Sequence, residues 1–176
     1  MGLDMYLNKT KRVENLSVED YSTINEALPW KTEEYDFKKG LTAICKVKDA
    51  FKLNDEVKER GSHFTYLSIF KDAGYWRKAN AIHKWFVDNC QDGVDECQLS
   101  EVTEGKLQEL LDACKSVKVD NKLAGDLLPP QSGFFFGSTE IDEWYMQDID
   151  QTIDILSELL DTTDFEKEIV FYQSSW

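Results

Sequence analysis

The sequence predicts an α+β fold, in which a small antiparallel sheet packs against several helices. The chain begins and ends with segments that alternate apolar and polar residues, as strands with one buried face do. Helical patterns lie between these segments without the regular strand–helix rhythm of a parallel sheet. A chain of 176 residues can bury a core without disulfides or a structural metal. We therefore expect a single domain, residues 1–176, whose two terminal strands are neighbours in the sheet.

The N-terminal elements have clear patterns. In MGLDMYL, Leu3, Met5 and Leu7 alternate with polar residues, which predicts an opening strand. In VEDYSTINEAL, apolar residues recur every three or four positions, which predicts a helix. Ser17 is a suitable N-cap for this helix, and Pro29 would end it.

The stretch that follows is less regular. Residues 30–39 are polar and without a pattern, and residues 41–51 fit either a strand or a helix. The β-rich segment HFTYLSIF, residues 63–70, predicts a strand. After a turn at residues 71–74, the spacing of apolar residues predicts a helix over residues 75–89.

The C-terminal half predicts two long helices and two strands. A short strand is expected at residues 97–100, and Thr103 is expected to cap the helix after it. The apolar face of that helix consists of Leu107, Leu110, Leu111, Cys114 and Val117. A loop containing two consecutive prolines follows at residues 121–138, and Ser138 or Thr139 would cap the longest helix. Its apolar face consists of Ile141, Tyr145, Ile149, Ile153, Leu156 and Leu160. Residues 167–176 predict the closing strand.

The helix predicted over residues 75–89 is the first candidate for a binding site. At 100° per residue, Tyr75, Ala79, Ile82 and Phe86 form its core face. Trp76, Asn80 and His83 share one flank, where an indole, an amide and an imidazole could line a small-molecule or nucleotide pocket that serves binding or catalysis. Arg77 would meet an anionic ligand at the rim. The alternative is that these side chains pack against the core and use their polar atoms locally.

The segment SGFFFGS supplies further candidates. In an extended chain, Phe134 and Phe136 share one side and Phe135 lies on the other. Phe134, Phe136 and Tyr145 are therefore candidate walls of the same pocket. A helix N-terminus follows, which can bind anions, but the acidic residues of its first turn oppose a phosphate there.

Charge is distributed unevenly along the chain. The formal net charge is −14, with +2 on residues 1–86 and −16 on residues 87–176. An acidic face is predicted on the last helix, consisting of Glu140, Asp142, Glu143, Asp148, Asp150 and Asp154. Such a face disfavours direct binding of nucleic acid. It would attract a protein with a basic surface or mimic DNA; the alternative is a solvated face that keeps the protein soluble.

The sequence offers few signals of catalysis. It contains no GxSxG, HExxH, GxGxxG or phosphate-loop motif, and two histidines are too few for a three-histidine metal site. The four cysteines form no CxxC motif and are expected to be reduced core thiols. We therefore predict no catalytic residue, metal or cofactor, and lean towards a protein that is not an enzyme. The absence of a signal peptide or an apolar spanning segment favours the cytoplasm.

Three parts of the sequence together resemble a known group. These are MGLDMYL, GYWRKANAIHKWF, and LLPPQSGFFFGSTEIDEWY with the final YQSSW. They resemble an uncharacterised family of small proteins from phages, prophages and their bacterial hosts. Some members are labelled phosphoglycerate kinase, but this chain has neither the length of that two-lobed enzyme nor a nucleotide loop. The resemblance implies a phage-associated role in the host cytoplasm, and we expect a binding protein that engages a host protein or sequesters a small ligand, with an anti-defence or DNA-mimic role as one form of this.

Overall fold

The computed structural model describes residues 2–14, 16–26 and 70–176. The chain divides into two compact units. The major unit comprises Met1–Lys9 and Asp72–Trp176, and the minor unit comprises Thr10–Lys71. The single domain expected over residues 1–176 stays a prediction.

Four antiparallel strands form one sheet in the described part of the chain. They are β1 (Asp4–Lys11), β2 (Lys71–Arg77), β3 (Ser100–Val102) and β4 (Glu168–Ser175). Their order across the sheet is β2-β1-β4-β3, so the first and last strands of the chain are central neighbours. This confirms the predicted α+β class and the pairing of the terminal strands. The strand expected at residues 97–100 lies slightly later, at β3.

Five helices are present in the described residues. They are α1 (Val18–Glu26), α2 (Asn80–Cys90), α3 (Glu104–Val119), α4 (Ala124–Leu127) and α5 (Glu143–Thr162). The predicted apolar face of α3 is buried at every position, and Thr103 accepts a hydrogen bond from the N–H of Lys106 as the expected cap. α3 packs along α5. None of the described helices has the length and apolar character that a bilayer crossing requires.

The described part of the minor unit confirms the predicted start of α1. The N–H of Asp20 donates to the Ser17 hydroxyl, and the Asp20 carboxylate accepts from the Ser17 N–H, which is a reciprocal capping box. Tyr21 is buried, and its hydroxyl donates to the carbonyl of Lys11. The predicted end at Pro29 and the predictions for residues 30–39, 41–51 and 63–69 lie outside the described residues.

The prediction of a helix over residues 75–89 is wrong at its start. Residues 71–77 form β2, and α2 begins at Asn80. Around Trp76 the side chains alternate between solvent and core, so Tyr75 is 45% exposed rather than part of a helical core face. Lys78 has a φ of 63°, a left-handed conformation that separates the strand from the helix.

The longest helix also begins later than Ser138 or Thr139. Asp142 is its N-cap, because one carboxylate oxygen of Asp142 accepts hydrogen bonds from the N–H groups of Trp144 and Tyr145. Ile141 therefore precedes the helix and is exposed instead of belonging to its apolar face. Residues 121–127 of the predicted loop form a short 3-10 turn followed by α4.

Candidate functional site

Trp76, the first residue of the predicted pocket, belongs to the core. Its side chain is fully buried on β2. Its indole N–H donates to the Thr152 hydroxyl at 2.9 Å, and this hydroxyl donates to the backbone carbonyl of Asp148 at 2.6 Å. The one polar group of the indole is therefore satisfied within the protein.

His83 is also fully buried, and both of its ring nitrogens have partners. Nδ1 lies 2.7 Å from the Tyr172 hydroxyl, and Nε2 lies 2.9 Å from a carboxylate oxygen of Asp95. Burial lowers the pKa of His83 although Asp95 acts in the opposite direction. Burial also raises the pKa of Tyr172, so the phenol keeps its proton. We therefore assign a neutral imidazole that donates from Nε2 to Asp95 and accepts at Nδ1 from Tyr172.

Asp95 extends these contacts to the end of the chain. The same carboxylate oxygen that faces His83 accepts from the indole N–H of Trp176 at 2.9 Å. We call His83, Tyr172, Asp95 and Trp176 the His83 network. The ring of Phe136 contacts the imidazole edge-on, with centroids 5.0 Å apart. The hydrogen bonds of the network join α2, β4 and the segment before β3. They therefore stabilise the fold.

Asn80 is buried at the start of α2 and holds the neighbouring loop in place. Its side-chain amide donates to the carbonyls of Phe136 and Ser138 at 3.1 and 2.7 Å. Its side-chain oxygen accepts from the N–H of Gln131 at 3.0 Å. The polar atoms of Trp76, Asn80 and His83 thus all have partners inside the protein, which favours packing over a pocket centred on these residues.

The two phenylalanines expected to share one side of the chain are separated. Residues 134–136 form a turn rather than an extended segment, and the N–H of Phe136 donates to the carbonyl of Gly133. Phe134 is 96% exposed, whereas Phe136 is buried against His83. The expectation that Phe134 and Phe136 share one side of an extended segment is therefore wrong, and their assignment as ligand-binding residues stays a prediction.

A cavity of about 330 Å³ lies elsewhere, between the β2–α2 turn and the beginning of α5. We call it the cleft. It brings together predicted residues of two kinds. The candidates for ligand binding that line it are Arg77, Asn80 and Tyr145, and the candidates from the acidic face are Glu140, Asp142 and Asp148. The cleft is also lined by Lys78, Ala81, Ile82, Ser138 and Trp144.

One side of the cleft favours anions. Arg77 and Lys78 line it, and the Arg77 side chain is largely exposed and only loosely paired, 4.0 Å from Asp4. Ala79 is the N-cap of α2 and offers no side-chain acceptor. The backbone N–H groups of Ala81 and Ile82 belong to the first turn, where no intrahelical acceptor exists. The positive end of the helix dipole is therefore directed at the cleft.

The other side is acidic and centres on Asp148. This side chain is half-buried, and its carboxyl has no hydrogen-bond or ion-pair partner among the residues that the structure describes. Burial, and then the charge of Asp142, raises the pKa of Asp148 to about 6. The carboxylate of Asp142, by contrast, is used as the N-cap of α5. Trp144, which is 73% exposed, lies on the same helix at the cleft.

Sequence reasoning placed Asp148 among six similar acids. The spacing of Asp148 from Tyr145 and Ile149 sets it apart from the other acids. It places Asp148 on the shoulder of the apolar face of α5, where a side chain is partly buried. Glu143, Asp150 and Asp154 are exposed and do not line the cleft, and Asp150 pairs with Lys118 at 2.5 Å.

The described cysteines do not line the cleft. Burial raises the pKa of Cys90 to about 11 and that of Cys114 to about 12, so both thiols stay protonated. Within residues 2–14, 16–26 and 70–176, no group of three or more His, Cys, Asp or Glu side chains could hold a metal ion.

No family model, curated protein or solved structure matches this chain.

Proposed function

We propose that the protein is a non-enzymatic binding protein that sequesters a small ligand in the cleft. The observation that carries the proposal is the unpartnered carboxyl of Asp148. The Asp148 side chain is half-buried, and a carboxylate that is partly removed from water without a hydrogen-bond partner in the protein is less stable than the same group in bulk water. Groups held in such environments inside clefts are concentrated at functional sites. A ligand that satisfies Asp148 would recover the lost interaction.

Rigid support for the cleft favours binding of a defined ligand. Asn80 fixes the loop that contains Ser138 through three hydrogen bonds, and Asp142 fixes the first turn of α5. Pre-organised walls lower the entropic cost of binding. The imidazole of His83 and the thiols of Cys90 and Cys114 lie outside the lining of this cleft, which favours binding over catalysis.

The resemblance to phage and prophage proteins gives the proposal a biological setting. A phage-type protein that acts in the cytoplasm of the host would remove a small molecule that the host uses. An anti-defence role is one form of this.

The proposal is tested by thermal shift of the full-length protein against a broad panel of metabolites that includes nucleotides and cyclic nucleotides. A true ligand raises the melting temperature by mass action. Asp148→Asn should abolish the rise. Glu158→Gln is the matched control, because Glu158 is an exposed acid on the same helix and does not line the cleft. A rise that persists in Asp148→Asn would move the ligand away from the cleft.

A second candidate function is engagement of a host protein with a basic surface. The observation in its favour is a run of exposed large apolar side chains, Phe134, Ile141 and Trp144, close in sequence to the acids Glu140 and Glu143. Exposed apolar groups surrounded by charge are frequent at protein interfaces. DNA mimicry is a special case.

Charge reversal tests this second candidate. Glu143→Lys combined with Asp154→Lys should weaken capture of the partner from host lysate while leaving the lining of the cleft intact. Competition of DNA for the captured partner would support mimicry. Capture that is unchanged by the double substitution would remove the acidic face from consideration.

A further inference from the structure

The cleft presents both signs of charge to one small volume. Arg77 and Lys78 line it, and so do Glu140, Asp142 and Asp148. A ligand that is only anionic would meet three carboxyl groups there. A ligand that is only cationic would meet two basic side chains and the positive end of a helix.

We infer that the cleft binds a small zwitterion, whose amine lies against Asp148 and Trp144 and whose anionic group lies at the first turn of α2 beside Arg77. The inference rests on the proposed function of the cleft and names the class of its ligand.

The amine side follows from Asp148 and Trp144. An ammonium group supplies donors to a half-buried carboxylate, and charge-assisted hydrogen bonds of this kind are stronger than neutral ones. The exposed indole of Trp144 offers a face for the same cation. An anionic group in this position would instead repel both Asp148 and Asp142.

The anionic side follows from the turn between β2 and α2. The N–H groups of Ala81 and Ile82 can donate to a carboxylate, as helix N-termini do for anions. The guanidinium of Arg77 adds a bidentate donor. The Ser138 hydroxyl accepts from the N–H of Glu140, and its own proton can still be donated to a ligand in the cleft.

The volume limits the size of the ligand. At about 330 Å³, the cavity lies at the lower end of the range of roughly 300 to 1,000 Å³ that ligand pockets occupy. A molecule of amino-acid size, or slightly larger, fits this space.

Three probes of similar size separate the two charges. 5-Aminopentanoate carries both, pentylamine carries only the cation, and pentanoate carries only the anion. Each is titrated into the full-length protein at pH 7.5, and binding is followed by ligand-observed NMR. We expect 5-aminopentanoate to bind about tenfold more tightly than either single-charge probe, a difference of about 1.4 kcal/mol. Asp148→Asn should remove its advantage over pentanoate, and Arg77→Gln should remove its advantage over pentylamine; Glu158→Gln should change neither.

The outcomes show whether only the zwitterion inference fails or whether ligand binding in the cleft fails as well. If a single-charge probe binds as tightly as 5-aminopentanoate, and Asp148→Asn or Arg77→Gln alters that binding, the zwitterion inference is overturned and the cleft stands. If no probe binds, the protein is incubated with a small-molecule extract of bacteria, and the retained compounds are identified by mass spectrometry. A retained zwitterion supports the inference, and a retained compound with one charge or none overturns it. If nothing is retained, the proposed function fails as well.

Discussion

The His83 network and the cleft around Asp148 differ in whether their ionisable side chain has hydrogen-bond partners in the protein. Both place such a group beside aromatic side chains, with His83 fully buried and Asp148 half-buried. In the network, each ring nitrogen of His83 has a partner within 3 Å, and Asp95 receives a second donor from Trp176. In the cleft, the carboxyl of Asp148 has no such partner among the described residues.

This difference separates folding from binding. A buried polar group whose hydrogen bonds are complete adds specificity to the core at little cost. A half-buried carboxyl without partners opposes folding, and burial of the apolar face of α5 acts in the opposite direction. Asn80 has three hydrogen bonds to the protein, so by the same comparison its side chain stabilises the fold and is not held free for a ligand.

The largest loss of stability should follow from His83→Ala. The substitution opens a cavity in the core and removes the His83 contacts of Tyr172 and Asp95, so that Asp95 keeps only Trp176 within the network. We expect the free energy of unfolding to fall by about 3 to 5 kcal/mol, measured by urea denaturation at pH 7. A loss below about 1 kcal/mol would show that the network does not support the fold.

A smaller loss is expected for Asn80→Ala. It removes the partners of two carbonyls and of the Gln131 N–H, and should cost about 2 to 3 kcal/mol. Hydrogen exchange at the Gln131 amide should accelerate, while exchange in α3 changes only as much as global stability requires. Unchanged protection at Gln131 would contradict the role of Asn80 as a brace for the loop.

Trp144→Ala should leave stability almost unchanged. The indole is 73% exposed, and surface substitutions away from special contacts stay within about 0.5 kcal/mol. Phe134→Ala is the matched control, because Phe134 is also exposed but does not line the cleft. Binding of 5-aminopentanoate should weaken in Trp144→Ala alone. If Trp144→Ala loses as much stability as Asn80→Ala, Trp144 stabilises the fold and is not a residue held for ligand binding.

The elements predicted correctly are those whose pattern is long or capped. The start of β1 alternates at Leu3, Met5 and Leu7, β4 contains four consecutive buried apolar residues, Ile169 to Tyr172, and α3 combines a complete apolar face with a Thr103 cap. The boundary between β2 and α2 was missed because the apolar spacing around Trp76 fits periods of both 2 and 3.6 over so few residues. The left-handed conformation of Lys78 has no counterpart in its residue type, because glycine or asparagine is the usual signal.

The site was predictable only in part. Arg77, Asn80 and Tyr145 were chosen for their chemistry and do line the cleft. Trp76 was placed on a helical flank, although as a strand residue it points into the core. The spacing of Asp148 from Tyr145 and Ile149 places it on the shoulder of α5, but its lack of a partner depends on side chains that come together only in the folded chain.

The pH dependence of stability in Asp148→Asn tests whether this carboxyl opposes folding. The pKa of Asp148 is raised in the folded protein from its ordinary value of 3.8 to about 6. The folded state therefore binds this proton more tightly than the unfolded state, and stability is lost as the pH rises through that interval. At about 1.4 kcal/mol per pKa unit, the ceiling is near 3 kcal/mol, and partial exposure reduces it to about 1 to 2 kcal/mol.

The measurement compares wild type and Asp148→Asn by urea denaturation at pH 7.5 and at pH 4. We predict that the variant is more stable by about 1 to 2 kcal/mol at pH 7.5 and that most of this gain is absent at pH 4. Glu158→Gln should show no such difference between the two pH values. A variant that is equally or less stable than wild type at pH 7.5 would contradict the account, because Asp148 would then support the fold and its carboxyl would not be held for a ligand.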